Sequence, residues 1–474
     1  MMRLSMAIGL WFVLMLVARA NGLPPGVVAA LDQAAIPQDA AAILVLPANG
    51  GTPAVEMNAA LPMNPASVMK LVTSYAALEK LGPAYTWKTR IWAGGEIRDG
   101  KLMGDLIVRG GGDPFLTIER LWLLQRALRQ KGVREIQGNL VLDLSLYDLS
   151  MQDAGAFDGE PLAAYNAVPS PLVVNFNAQT VRFGVEGDAV QIRSEIPLRD
   201  IRFVSRLLLI DAPCNGWRSQ IKARIAESGV DQHGREVVFE GSYPRSCGEK
   251  SMALNLFEAS LNFAQVFRAL WEESGGKWSG NVQPGLAPVE AKPLLEFESL
   301  PLADILRPLN KHSSNIMTRM LYLTLGQEYF GGAATLEKSA LAVREILAAR
   351  ALALLELVLE NGAGLSRLER ISAQGMAQLL KAAQAGRNFS EFESSLPVAA
   401  TDGTMKSRLN GNGSAGHAHL KTGTLRDAKA LAGYVLDRAG RRWVVVFFIN
   451  HPNAEQGAAA QDALIEWVYR GAVL

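Results

Sequence analysis

The chain contains the stretch Asn64-Pro65-Ala66-Ser67-Val68-Met69-Lys70, in which a serine and a lysine lie one helical turn apart. The stretch is typical of a helix start, because asparagine is a good N-cap and proline suits the first helical position. An apolar pattern continues to Leu78, and Gly82-Pro83 end it. Residues i and i+3 are neighbours on a helix, so the Lys70 amine can reach the Ser67 hydroxyl. A serine needs a base to take its proton, and a buried amine can be that base.

Strand patterns lie on both sides of this helix in the sequence. We expect the first and last parts of the chain, residues 21–86 and 294–474, to form one domain. In this domain, helices pack against an antiparallel sheet. The predicted fold class is therefore mixed α/β of the α+β type. The predicted elements, read from hydrophobic periodicity and turn residues, are strands at 41–46, 54–57, 419–424, 429–436 and 443–449 and a helix at 459–469.

The middle of the chain has a different pattern. Residues 87–293 are rich in short strand patterns, and we interpret them as a large, mainly β insertion with one or two nested lobes. The clearest predictions there are strands at 104–109, 138–143, 181–185 and 221–225 and a helix at 118–131. Beyond the insertion, residues 341–359 and 372–385 are predicted to form amphipathic core helices.

The N-terminus is typical of a secretory signal peptide over residues 1–20. A short positive start precedes an apolar stretch at 4–17, and Ala18-Arg19-Ala20 fits a cleavage site. An uncleaved membrane anchor is the alternative, but the apolar stretch is short for a bilayer span. We therefore expect a periplasmic protein with at most peripheral membrane contact.

Composition narrows the function classes. With 474 residues the chain is long enough for more than one domain, and its formal net charge of +1 offers no basic excess for nucleic acid binding. The chain has two cysteines, Cys214 and Cys247. In an oxidising compartment a pair this sparse favours a disulfide over a metal site, with two free buried thiols as the alternative.

Three short motifs are more informative by their order along the chain than any one of them is alone. S-x-x-K also occurs at Ser219, in a strand-like stretch, and at Ser274, in a glycine-rich turn, and neither context joins the two side chains. S-x-N occurs several times, and Ser313-Ser314-Asn315 lies at a loop-to-helix junction. Lys421-Thr422-Gly423 is the one K-T-G and lies on a predicted strand. The order is therefore a helix-start S-x-x-K, then S-x-N, then K-T-G.

With these motifs the chain resembles the penicillin-recognising serine D,D-peptidases. More narrowly, it is similar to the D-alanyl-D-alanine carboxypeptidase/endopeptidase family, the class C low-molecular-mass penicillin-binding proteins. The likeness covers the whole mature chain, including the insertion that compact β-lactamases lack. It implies a transpeptidase/β-lactamase-like domain. Further matching stretches are 104–114, 362–367, 396–404 and 430–435.

The resemblance implies a catalytic set in which Ser67 is acylated and Lys70 takes its proton. Ser313 relays a proton to the leaving amine, and Asn315 holds Lys70 or the substrate amide. Lys421 supplies positive charge across the cleft. Two lysines cannot easily stay charged together in a confined site, and we expect Lys70 to have the lowered pKa.

The resemblance also implies a substrate-binding set. Thr422 and Thr424 bond the terminal carboxylate of the substrate, and Gly423 lets the substrate backbone lie against the strand. The backbone N–H groups of Ser67 and Thr424 form an oxyanion hole. Asp143, in the insertion, resembles a family position that reads the amine of the substrate side chain; a structural role at a strand end is the alternative.

The predicted function is hydrolysis of the terminal D-Ala-D-Ala bond of peptidoglycan stem peptides through an acyl-enzyme, and the resemblance leaves open whether D,D-crosslinks are cut too. β-Lactams are the expected covalent inhibitors. No metal, no organic cofactor and no nucleic acid is expected. Two alternatives remain at this point: a β-lactamase, which deacylates fast, and a catalytically silent protein that binds the cell wall.

Overall fold

The computed structural model describes residues 22–149, 152–227 and 235–472, so the predicted signal peptide lies outside the described residues. The α-helices there are α1 Pro25–Gln33, α2 Lys70–Lys80, α3 Ile118–Gln130, α4 Ala259–Glu273, α5 Leu302–Lys311, α6 Asn315–Phe330, α7 Leu336–Ala348, α8 Ala373–Ala385, α9 Phe389–Ser395 and α10 Ala458–Tyr469. The strands are β1 Ala41–Pro47, β2 Val55–Met57, β3 Pro62–Met63, β4 Lys88–Ala93, β5 Ile97–Arg98, β6 Lys101–Leu102, β7 Leu106–Arg109, β8 Glu135–Ile136, β9 Leu140–Asp143, β10 Gln179–Glu186, β11 Ala189–Ser194, β12 Ile201–Ile210, β13 Ile221–Glu227, β14 Arg235–Pro244, β15 Lys250–Leu254, β16 Lys277–Trp278, β17 Val282–Pro284, β18 Leu295–Glu298, β19 Ile371–Ser372, β20 Ala418–Leu425, β21 Ala428–Leu436 and β22 Arg442–Asn450.

The two ends of the chain meet in one five-stranded sheet with the order β2-β1-β22-β21-β20. Every neighbouring pair in it is antiparallel, as the sequence predicts. β1 pairs with β22 over its whole length, from Ala41 opposite Ile449 to Pro47 opposite Trp443. The mixed α/β fold class is therefore confirmed.

Both faces of this sheet are buried, which explains the near-continuous apolar strands. Along β22, Val444, Val446 and Phe448 point into a large core that includes residues of α2, α6 and α8. The alternating residues Val445 and Phe447 point into a second core with residues of α1 and α10. Because side chains alternate along a strand, a one-residue slip would exchange the two faces, so the two cores together define the register.

The region between β4 and β18 contains two further cores. One lies among α3, α4 and the strands ordered β17-β9-β7-β4-β18, and the other among β10 to β15. β18 pairs antiparallel with β4, so this sheet includes strand residues on both sides of the boundary at 293/294 that the sequence suggests.

The lobe formed by β10 to β15 is cross-linked. Cys214 and Cys247 form a disulfide with an S–S distance of 2.06 Å, as predicted. Cys247 is buried in the same core as Trp217 and Tyr243, whose rings lie edge to face. The disulfide therefore stabilises a small β lobe with a modest core of its own.

Two predictions about helices need correction. The helix predicted at 341–359 is wrong for its second half, because α7 ends at Ala348 and Ala351 adopts a left-handed conformation with φ of 58°. Beyond it, Leu354 and Leu357 are buried in the large core from an irregular segment. No glycine or proline marks this end, so the sequence carries no stop signal there.

The second correction concerns the start of α2. The chain enters it through a 3₁₀ turn, Ala66–Met69, and Lys70 is the first α-helical residue. Asn64 does bind the turn, because its Oδ1 accepts the N–H of Ala66 at 2.9 Å. Ser67 therefore lies on a 3₁₀ turn rather than in the first α-helical turn.

Among the residues that the structure describes, none of the helices combines the length and apolar character that a membrane span requires.

Candidate active site

The Lys70 amine lies at the centre of a group of polar atoms from three parts of the chain. Its Nζ is 2.9 Å from Ser67 Oγ and 2.7 Å from Asn315 Oδ1, and it also donates to the carbonyl of Ala363. Ser67 is half-buried, whereas Lys70 has no exposed surface. The 3₁₀ turn still brings the serine and lysine together, because i and i+3 are neighbours in it too.

Burial changes the acid–base chemistry of Lys70. Desolvation lowers its pKa from 10.5 to about 7, and the negative charge of Glu369 acts in the opposite direction. A lysine with a pKa near 7 is partly neutral at physiological pH, so its nitrogen can accept the proton of a neighbouring hydroxyl. The pKa of Lys70 is thus lowered, as the sequence predicts.

A second lysine is buried across the cleft. Lys421 Nζ donates to Ser313 Oγ at 2.8 Å and to the carbonyl of Thr422 at 2.8 Å. Burial, and then the charge of Lys70, lower the pKa of Lys421 well below its ordinary value. The sequence predicts a lowered pKa for Lys70 alone, and the structure shows the same effect on Lys421.

The turn before α6 holds the two S-x-N side chains in place. Ser313 adopts a left-handed conformation with φ of 56°, and Ser314 caps α6 by accepting the N–H of Met317 at 3.4 Å. Asn315, the first residue of α6, bonds Lys70 through Oδ1 and donates from Nδ2 to the carbonyl of Tyr165 at 3.1 Å. Ser314 is therefore structural, and the serine and asparagine on either side of it face the two lysines.

The K-T-G strand runs along the edge of the central sheet and against the Ser67 turn. A Cβ placed on Gly423 would lie 2.9 Å from Ser67 N and 2.7 Å from the Pro65 carbonyl oxygen, so a side chain there would clash. Thr422 Oγ1 donates to Thr404 Oγ1 at 2.7 Å, and Thr424 is exposed. Glycine at 423 is thus needed for the close approach of β20 to the turn.

The contacts of Asp143 are with residues outside this cluster. Its carboxylate accepts the N–H groups of Ser145 and Ala287 at 3.0 and 2.9 Å, and it lies 3.7 Å from Arg109. These partners are all in the sheet of the insertion and the segments beside it, and only 2% of Asp143 is exposed. These contacts fit the structural role at a strand end, and the role of Asp143 in reading the substrate amine stays a prediction.

The segment that supplies the Ala363 carbonyl belongs to the stretch 362–367, for which the sequence predicts no role. Its geometry depends on Glu369, a fully buried carboxylate that accepts the N–H groups of Glu360, Asn361, Gly362 and Gly364. Asn361 also shapes this segment, because its Oδ1 accepts the N–H of Ala363 at 3.0 Å. No spacing or periodicity in the sequence distinguishes Glu369 from a surface glutamate.

Comparison with known proteins assigns the family. The chain matches the D-Ala-D-Ala carboxypeptidase 3 (S13) family over residues 26–470. It is 28% identical over 461 residues to a D-alanyl-D-alanine carboxypeptidase of an Actinomadura species, covering 94% of this chain and 84% of that protein. It is 25% identical over 404 residues to the D-alanyl-D-alanine carboxypeptidase DacB of Haemophilus influenzae, covering 83% and 82%.

The fold agrees with that assignment. The crystal structure of penicillin binding protein 4 from Haemophilus influenzae aligns with a TM-score of 0.78 at 23% identity, covering 94% of this chain and 99% of that one. The chain therefore belongs to the D-Ala-D-Ala carboxypeptidase 3 (S13) family, and its activity is that of a serine D,D-carboxypeptidase.

Proposed function

We propose that Ser67 is the nucleophile of this carboxypeptidase and that Lys70 is its general base. The observation that carries the proposal is the 2.9 Å distance from Lys70 Nζ to Ser67 Oγ, combined with a Lys70 pKa of about 7. The neutral amine takes the Ser67 proton while Oγ attacks the carbonyl carbon of the scissile D-Ala-D-Ala bond. Asn315 keeps the Lys70 amine aimed at Ser67 through its Oδ1 contact.

The leaving group is the terminal D-alanine, and it needs a proton when the C–N bond breaks. Ser313 is placed to supply it, because its Oγ lies 2.8 Å from Lys421 Nζ, which can replace the donated proton. The products of this step are an ester on Ser67 and free D-alanine. A water molecule then hydrolyses the ester, which restores the Ser67 hydroxyl.

The charge of Lys421 depends on the substrate. Burial favours its neutral form in the free enzyme. A carboxylate bound at Thr422 and Thr424 brings an opposite charge close to the amine and so favours the ammonium form again. Binding of a substrate that ends in a carboxylate thus loads Lys421 with the proton that Ser313 passes on.

The edge of the sheet supplies the rest of the proposed binding site. Val398 forms a bridge to His419 and covers the start of the β20 edge, whereas Gly423 approaches the Ser67 turn. An extended peptide laid along an open strand edge forms backbone hydrogen bonds with it. The backbone N–H groups of Ser67 and Thr424 would hold the developing oxyanion, and one such donor is worth roughly 3–4 kcal/mol of barrier.

The proposed substrate is the stem peptide of peptidoglycan, with action outside the cytoplasm, in the periplasm. Family membership supports this substrate, and the disulfide fits an oxidising compartment. In this proposal residues 21–86 and 294–474 form the peptidase domain, and residues 87–293 an insertion that restricts or guides a large substrate. Cleavage of D,D-crosslinks follows the same chemistry, with a longer leaving group.

β-Lactams would inhibit the enzyme by acylating Ser67, because their strained amide occupies the place of the scissile bond. A crystal structure of penicillin binding protein 4 from Haemophilus influenzae is a complex with a β-lactam, at a TM-score of 0.73 and 22% identity to this chain. Slow hydrolysis of the adduct distinguishes a D,D-peptidase from a β-lactamase.

The test is intact-mass spectrometry with excess penicillin, followed by peptide mapping and an assay of D-alanine release. We expect one stable adduct on Ser67 and loss of both adduct and D-alanine release in Ser67→Ala. The matched control is Ser219→Ala, which removes the serine of another S-x-x-K copy, where Ser219 Oγ donates to the Gly216 carbonyl. Turnover that survives in Ser67→Ala refutes the nucleophile assignment, and rapid β-lactam turnover would favour a β-lactamase.

A further inference from the structure

A tight loop, residues 360–364, closes over the Lys70 amine. Its Ala363 carbonyl accepts from Lys70 Nζ, and Thr73 Oγ1 donates to the Gly362 carbonyl at 2.7 Å. Gly364 has φ of +77°, and a Cβ there would lie 1.8 Å from the carbonyl oxygen of Ala66. The loop thus lies directly on the Ser67 turn and leaves little room for either to move.

One side chain organises this loop. Glu369 Oε1 accepts the N–H groups of Glu360, Asn361 and Gly362 at 3.0, 2.9 and 2.7 Å. Its Oε2 accepts the N–H of Gly364 at 2.8 Å. Four of the five residues of the loop therefore bond one carboxylate, and the remaining one supplies the carbonyl that contacts Lys70.

The carboxylate of Glu369 is best satisfied when it is ionised. An ionised carboxylate only accepts hydrogen bonds, whereas a protonated one has an O–H that needs an acceptor. Both oxygens of Glu369 face N–H donors of the loop. Burial raises the pKa of Glu369 above its ordinary value, and the four N–H groups oppose that rise by stabilising the anion.

This negative charge acts on a site that holds two buried lysines. It opposes the effect of burial on Lys70, whose pKa would otherwise fall further. The titratable groups that sense one another here are Lys70, Lys421, Tyr322 and Glu369. Burial and the charges of Glu369, Glu337 and Glu360 keep Tyr322 neutral, and Arg344 acts in the opposite direction. Within this group, Glu369 is the anion that acts on Lys70.

We propose that Glu369 is a positioning residue for acylation, which holds the Ala363 carbonyl on Lys70 and supplies a negative charge that acts on the Lys70 amine. The inference rests on the proposed roles of Ser67 and Lys70. Glu369 touches neither substrate nor reacting atoms; it acts through the loop and through its charge. Its loss must therefore change both the height and the pH dependence of the acylation rate.

The test measures the rate of Ser67 acylation by a fluorescent penicillin as a function of pH. In this pH–rate profile the rate rises with pH along an acidic limb and then reaches a plateau. In Glu369→Gln the plateau rate should fall roughly 10- to 100-fold, because the loop and the base lose their alignment. The acidic limb should move to lower pH, because removing the negative charge lowers the pKa of Lys70. In Glu369→Asp the charge remains but the reach is shorter, so the plateau should fall while the limb keeps its position.

The control is Glu360→Gln, which removes an equal charge from an exposed side chain of the same loop. It should leave the plateau and limb unchanged. Thermal melting monitored by circular dichroism shows whether each variant folds. If Glu369→Gln does not fold, the plateau rate and the limb position of Glu369→Asp provide the test. A lower plateau with an unmoved limb in Glu369→Gln, or a moved limb in Glu369→Asp, overturns the inference. Absence of a Ser67 adduct in the unmodified protein would instead refute the proposed function.

Discussion

Acylation by this enzyme should depend steeply on pH because Lys70 must be neutral to accept the Ser67 proton. Burial lowers the pKa of Lys70 to about 7. Below that pH the amine is protonated and acylation is slow; above it the amine is neutral and the rate reaches a plateau. At about pH 5, two units below the pKa, about 1% of Lys70 is neutral, so acylation should be about 100-fold slower than at the plateau.

The assay is stopped-flow acylation by a fluorescent penicillin between about pH 5 and about pH 9, at constant ionic strength. Single-turnover conditions isolate acylation from hydrolysis of the adduct. Lys70→Arg serves as the control, because a guanidinium stays protonated in proteins and cannot act as the base. It should be inactive throughout this range.

Two results would refute this reasoning. A rate that stays flat across the range would mean that Lys70 is not the group that takes the proton. A rate that still rises at about pH 9 without reaching a plateau would mean that burial does not lower the pKa of the amine in solution from its ordinary value of 10.5. Lys421 interacts with Lys70, so the midpoint of the pH–rate profile describes the coupled pair.

Two further predictions concern backbone and covalent constraints. Gly364→Ala should slow acylation roughly 100-fold, because its Cβ would lie 1.8 Å from the Ala66 carbonyl oxygen. The control is Gly416→Ala, at a glycine with φ of +78° and no neighbouring atoms around its Cβ position, which should leave the acylation rate unchanged. Equal acylation rates in the two variants would contradict this. Replacing Cys214 and Cys247 by serine removes a cross-link between residues 33 apart and should lower the unfolding free energy, measured by urea titration, by about 4 kcal/mol. Ser67 acylation should be retained, because both cysteines belong to the core among β10 to β15 and none of the proposed catalytic residues does. A loss of acylation in the folded variant would contradict this.

Much of the fold could be predicted from local patterns. The strand at 443–449 is observed as Arg442–Asn450, and the helix at 118–131 as Ile118–Gln130. These elements have strong periodicity or long apolar runs, which local sequence encodes directly. The prediction at 341–359 failed because α7 ends at Ala348 without glycine or proline, and tertiary packing of Leu354 and Leu357 takes over from helix periodicity.

Some residues of the candidate site could likewise be predicted from local sequence, and others could not. Ser67 and Lys70 are three residues apart, so their proximity follows from a helical turn alone. The contacts of Asp143 lie within the insertion and fit a structural role, and its role in reading the substrate amine rests on the resemblance alone and stays a prediction. Glu369 had no sequence signal, because its importance comes from the backbone N–H groups of a folded loop.

Most of the predicted helices and strands, the order of the three motifs and the proximity of Ser67 to Lys70 follow from the sequence, because each depends on residues close together in the chain. The identity of the distant groups that meet at the Lys70 amine follows from the tertiary structure. Asn315 and Ala363 reach it from 245 and 293 residues away. Both lysines are buried by packing of remote segments, and that desolvation, which no local pattern encodes, lowers their pKa values and makes Lys70 a base.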